Sequence, residues 1–446
     1  MIVDLKEKAR KIKGIISSVQ TINQKGTVKR VIGIVIEATG PALRVGDQVT
    51  ISTPDGGIPG EVVGFKDNCI YLMPLGEMAG IGPGAVVSAS GKRLVAPVGP
   101  ELLGRVLDGL GNPIDGGMPL LCQHTRSINT GSPPPMERKR IAKPLHTGIR
   151  AIDSFLTMGL GQRVGIFAGS GVGKSVLLGM IARSSSADVN VIGLVGERGR
   201  EVRDFIEKDL GQEGLKKSVL VAVTSDESPL LRIKGLMLAT TIAEYFRDQG
   251  QNVALMVDSL TRVAMGQREI GLSIGEPPTT RGYTPSVFSL FPKLLERAGQ
   301  SKDGSITGFY TVLVEGDDLS EPISDITRSI LDGHIVLSRE LAAKNHYPAI
   351  NVSDSISRLM PDVTTKEHLN IAGRCRNFIA DYQSAEDLIN IGAYVKGSSQ
   401  KIDFAVERID KLNSFLKQAI DEKNDYDQTL AQLQNILSGT QENEKV

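Results

Sequence analysis

The densest chemistry in the chain lies in Ala168-Gly169-Ser170-Gly171-Val172-Gly173-Lys174-Ser175, between the apolar run Arg163–Ala168 and a helical pattern that begins at Val176. Glycines let the backbone curl so that several N–H groups face one concavity, and the following helix adds its positive end. Gly169, Ser170, Gly171, Val172, Gly173, Lys174, Ser175 and Val176 are therefore the expected phosphate cradle. Lys174 would reach the terminal phosphates and the Ser175 hydroxyl would ligate Mg²⁺. The first position of such loops is usually Gly; Ala168 is the smallest replacement and should leave the loop intact. Val253-Ala254-Leu255-Met256-Val257-Asp258 supplies the second Mg²⁺ partner, a buried strand ending in a carboxylate. Hydrolysis also needs a group that polarises water. Glu197, at a strand end in Gly196-Glu197-Arg198-Gly199-Arg200-Glu201, is the first candidate, with Glu201 a local competitor. The chemistry these residues imply is hydrolysis of ATP with Mg²⁺.

The elements that must position these groups can be read around them. Between about 146 and 352, runs at Arg163–Ala168, 190–195, 219–223, 253–257, 309–314 and 349–352 are apolar at successive positions. That pattern fits strands buried on both faces, as in a parallel sheet covered by helices. From 26 to 95, short β-branched runs (30–37, 48–52, 61–65, 70–74, 85–89) alternate with Gly, Pro and Asp turns, which suggests a small closed barrel. Residues 96–361 read as a linker and the nucleotide-binding domain, and 362–446 as a helical domain with helices over 366–378, 385–391 and 401–418. Ile402, Val406, Ile409, Leu412 and Leu416 form a stripe expected to be core. Over 1–25, Ile2, Leu5, Ala9, Ile12, Ile16 and Val19 share one face of a helix whose remaining surface is mainly basic, suited to docking on a partner or a lipid surface.

Bulk composition narrows the classes. Lys plus Arg equals Asp plus Glu at 51 each, Trp is absent, and aromatic residues are 4% of the chain. Nucleic-acid binding by global charge and base stacking is thereby disfavoured. Cys69, Cys122 and Cys375 and the five histidines show no metal-ligand spacing. They read as packing residues in a reducing, cytoplasmic setting. No apolar run reaches the length of a membrane span.

Together these segments resemble the F-type/V-type rotary ATPase family and, within it, the flagellar and type III secretion export ATPases. The resemblance rests on 148–153, 161–179, 193–204, 275–288, 294–298, 331–339 and 348–360, and on the alanine that opens the phosphate loop. It implies a P-loop (RecA-like) α/β central domain with a mostly parallel sheet, preceded by a small N-terminal β-barrel and followed by a C-terminal helical domain. It implies that Glu197 is the catalytic carboxylate, that Arg198 and Arg262 surround the nucleotide, and that Tyr347 packs on adenine. It further implies that Arg358 is an arginine finger supplied by an adjacent subunit, so that the working form is a homo-hexamer. The partners it implies are a regulator, a stalk protein, export substrates and their chaperones, and an export gate at the cytoplasmic face of the inner membrane, with no nucleic acid. The acidic segment by which rotary subunits engage their shaft is replaced by the less charged 384–389, which counts against a catalytic subunit of a rotary ATP synthase. A hexameric nucleic-acid translocase would need a basic, aromatic groove that the barrel segment lacks. The Gly/Pro-rich loop 275–288, with Tyr283, is expected to line a central pore.

Overall fold

The computed structural model describes residues 25–438 except 315 and 317. The amphipathic helix expected over 1–25 lies outside the described residues, apart from Lys25, which opens the first strand. The described chain forms two compact units, 25–94 with 272–276, and the remainder.

The first unit is a closed antiparallel barrel. Its strands are β1 (Lys25–Ile32), β2 (Val35–Thr39), β3 (Gln48–Thr53), β4 (Gly56–Lys66), β5 (Cys69–Pro74) and β6 (Val86–Ala89), in the order β1-β2-β5-β4-β3-β6. Alternation explains the inside: along β3, Val49 and Ile51 are buried while Thr50 and Ser52 face out. They join Ile36, Val62, Leu72 and Val87 in one core. The single strand expected over 30–37 is two strands. Gly33, at φ +56, turns the chain so that Ile32 pairs with Val35. The unbroken apolar run from Val31 to Ile36 concealed that turn, which only the glycine marks.

The second unit is built on a nine-stranded sheet. Its strands are β7 (Val106–Leu107), β8 (Arg163–Ala168), β9 (Val189–Glu197), β10 (Ser218–Thr224), β11 (Asn252–Asp258), β12 (Ser305–Leu313), β13 (Gly333–Leu337) and β14 (Ile350–Ser357), with the short Gly299–Gln300 beside β12. The order is β14-β13-β8-β12-β11-β9-β10-β7. All pairs are parallel except β13 with β14 and Gly299–Gln300 with β12. The run at 349–352 is thus the start of an antiparallel edge strand, three of whose eight residues are exposed. β13 was absent from the expected strands because its five residues alternate between buried and half-buried and give no continuous apolar run.

Helices α1 (Arg150–Phe155), α2 (Lys174–Ser184), α3 (Pro229–Asp248), α4 (Leu260–Ser273) and α5 (Pro285–Leu295) connect and flank these strands. Arg297, 2% exposed, donates to both oxygens of Glu244 on α3 at 2.8 Å and to the Ile128 carbonyl at 3.0 Å. This buried pair fastens the segment that leads into the domain. In the loop before α5, residues 277–281 are exposed, whereas Tyr283 is buried. Tyr283 is 3% exposed, its carbonyl accepts from the Thr279 N–H at 2.7 Å, and the Arg268 guanidinium stands over its ring. Its side chain is committed to packing.

Three helices end the chain: α6 (Lys366–Asn390), α7 (Gln400–Leu416) and α8 (Tyr426–Ser438). α6 fuses two expected helices, since 379–384 contains no Gly or Pro to separate them. Cys375 and Phe378 of α6, Leu412 and Leu416 of α7 and Leu433 of α8 belong to the same buried cluster as Ile166 and Leu177. The C-terminal helices and the sheet therefore share one core. In the expected α7 stripe, Ile409, Leu412 and Leu416 are buried, whereas Val406 is exposed and Ile402 half-buried. Burial pushes the Cys375 thiol up to about 12, which leaves it an inert packing group.

Candidate active site

Four adjacent parallel strands bring the predicted groups together at their C-terminal ends. β8 releases the phosphate loop, in which Gly171 and Gly173 adopt φ of +79 and +90, a region costly for any residue with a Cβ. α2 starts at Lys174, so its first N–H groups and positive end face the loop. The Lys174 ammonium contacts Asp258 Oδ1 at the end of β11 and lies 3.7 Å from Glu197 Oε1 at the end of β9. Between β8 and β11, β12 contributes Thr311, whose hydroxyl donates to Asp258 Oδ1 at 2.8 Å.

Glu197 reaches the cleft because β9 bulges. Val195 pairs with Val223 and Glu197 with Thr224, which leaves Gly196 as the extra residue, at φ +75. A Cβ on Gly196 would stand 2.7 Å from Arg262 Cβ, so the bulge and the arginine fit only around a glycine. Burial raises the Glu197 carboxyl to about 7; the Asp258 charge and a hydrogen bond with Glu201 push the same way, against Lys174. Glu201 is shifted oppositely, chiefly by that shared hydrogen bond. The two candidate carboxyls are thus separated: only Glu197 titrates near neutrality.

The phosphate loop, Glu197, Arg198, Arg262, Glu321 and Arg339 line a cleft of about 660 Å³. The Arg262 Nε is buried and has no hydrogen-bond partner among the described residues, a cationic group suited to a phosphate. Arg198 is largely exposed, with Glu201 at 3.7 Å. Beside the cleft lies an apolar cavity of about 430 Å³, whose walls include Gly171, Val172, Val176, Met180, Tyr347 and Ile420. A Cβ on Gly173 would touch the Tyr347 ring, so cradle and cavity are contiguous. A charged cleft joined to an apolar cavity matches the two halves of a nucleotide. Ser175 and Asp258 offer the hard oxygen donors that Mg²⁺ prefers.

Arg358 stands apart. It follows β14, is exposed, donates to the Arg328 carbonyl at 3.5 Å and does not line the cleft of its own chain. Arg339, Thr311 and the 418–420 turn, by contrast, belong to the site without having been predicted. Arg339 comes two residues after Leu337, which pairs with Ala168, so register alone brings its guanidinium against Gly169.

Comparison with known proteins places these features. Residues 148–357 match the ATP synthase alpha/beta family nucleotide-binding domain, 28–91 that family's beta-barrel domain, and 364–435 the T3SS EscN ATPase C-terminal domain. The flagellum-specific ATP synthase of Bacillus subtilis is 56% identical over 422 residues, 94% of this chain and 96% of that protein. The assembled ATPase EscN of the enteropathogenic E. coli type III secretion system superposes with a TM-score of 0.88 at 45% identity, covering 92% of this chain and 100% of EscN. EscN in complex with its central stalk EscO gives 0.85 at the same identity and coverage.

Proposed function

The chain belongs to the ATP synthase alpha/beta family, among the flagellum-specific and type III secretion ATPases, and from this premise we propose how its ATPase works. ATP binds with its triphosphate on the 169–176 loop and its base against Tyr347. Ser175 and Asp258 hold Mg²⁺, which supplies neutralisation of phosphate charge when bound. Lys174 and Arg262 stabilise the phosphoryl oxygens, Arg198 approaches from the rim, and Glu197 takes the proton of the attacking water. The remaining charge is met by Arg358 of a neighbouring subunit in a homo-hexameric ring. Hydrolysis serves protein export by the flagellar, or a related type III, apparatus at the cytoplasmic face of the inner membrane. Its partners are a regulator, a stalk protein, substrates with their chaperones, and the export gate. The α6–α7 hairpin tip, with Leu388, Ile391 and Val395 exposed, suits an apolar stalk contact.

One observation carries the ring: the site gathers Lys174, Asp258, Glu197 and Arg262 within one chain but leaves Arg358 on an exposed surface. The test is ATPase rate per subunit against protein concentration, with Arg358→Ala and Glu197→Gln measured alone and mixed. A steep rise with concentration, and activity recovered on mixing two inactive variants, is expected. A concentration-independent rate with no recovery removes the shared site.

A further inference from the structure

The turn between α7 and α8 helps to wall the apolar cavity: Gln418, Ala419 and Ile420 line it together with Val176 and Met180 of α2. That turn is held by Arg150, the first residue of α1, which is 9% exposed. Its Nε donates to the Phe415 carbonyl at 2.7 Å, Nη2 donates to the Lys417 carbonyl, and Nη1 reaches the Glu422 carboxylate and Asn424 Oδ1. One planar fork thus caps carbonyls that the end of α7 leaves open and binds the carboxylate beyond them.

Gln418 completes the attachment. It accepts from the Arg150 N–H at 2.9 Å, donates from its amide to the Gly148 carbonyl at 2.8 Å, and its own N–H donates to the Tyr347 carbonyl at 2.9 Å. Arg183, at the end of the helix that begins with Lys174, donates to the Ile420 carbonyl at 2.6 Å. The cavity wall is therefore fixed to Tyr347, to α1 and to α2 together, through residues outside the 169–176 loop and outside the lining of the charged cleft.

We propose that Arg150 is a positioning residue for the nucleobase: it holds the 415–424 segment as the wall of the base cavity and leaves the phosphate cradle independent of it. The inference rests on the nucleotide reading of the cleft and assigns the base half of that site a separate support. Its consequence is that loss of the fork weakens binding only for ligands that carry a base.

Arg150→Lys keeps the charge but not the fork. It should raise KM for ATP about tenfold with kcat within about twofold of wild type. Inhibition by tripolyphosphate, which has no base, should keep its constant within about twofold. An unchanged KM for ATP, or an equal loss for tripolyphosphate, overturns the proposal. Should the variant not fold, hydrogen exchange on the wild-type chain decides. Amides of 417–424 should be protected by ADP and not by tripolyphosphate; equal protection, or none, overturns it. A chain that binds neither ligand overturns the nucleotide reading as well, an outcome distinct from binding without selectivity.

Discussion

A carboxylate takes a proton from water at neutral pH only if it holds that proton with comparable strength, and Glu197 reaches this condition through its surroundings. Burial is the largest cause of its rise to about 7, and the negative neighbours Asp258 and Glu201 add to it. The sign for activity follows directly. Below about 7 the group is protonated and cannot accept a further proton, so kcat/KM should fall as pH drops through that value. Glu201→Gln removes a neighbouring negative charge that raises Glu197, and the acid limb should move to lower pH. The measurement is kcat/KM against pH for both proteins. A wild-type limb in the ordinary carboxylate range, or one that the substitution leaves in place, would move the base to another residue.

At the scale of elements, the aim of Glu197 depends on one residue inserted into β9. Gly196 supplies the left-handed φ of the bulge and the space that Arg262 occupies. Gly196→Ala should cost about 1 kcal/mol in backbone strain and displace either Glu197 or Arg262. A misplacement of this kind is expected to lower kcat about 100-fold. KM for ATP should change far less, because the phosphate loop leaves a different strand. A variant with wild-type kcat would show that the bulge has slack. The bulge also shows what a sequence exposes and what it hides. The phosphate loop was legible because strand, glycines, lysine and helix follow one another, and Asp258 because an apolar strand stops at a charge. Thr311 and Arg339 were not, because their places come from register between strands far apart in the chain. The hairpin at Gly33 was hidden by apolar residues on both sides of it, and the burial of Tyr283 by the exposed Gly/Pro-rich residues that precede it.

At the scale of the whole molecule, connectivity of the cores matters more than the order of segments along the chain. The barrel has a core of its own, whereas α6, α7 and α8 bury Cys375, Leu412 and Leu433 in the cluster that also holds Ile166 and Leu177. Arg150 adds polar links to residues 265 to 274 positions further along. The sheet and the C-terminal helices should therefore unfold together, and the barrel apart from them. Calorimetry should show two transitions. ADP at 100 times its Kd should stabilise only the larger one, by about 2.7 kcal/mol. Leu433→Ala, which empties a fully buried site, should destabilise that same transition by about 2–5 kcal/mol and leave the barrel transition unmoved. A third transition, lowered by Leu433→Ala but indifferent to ADP, would mean that the C-terminal helices fold on their own. The base cavity would then be assembled between two independently stable bodies, and Arg150 would join those bodies rather than brace a single core.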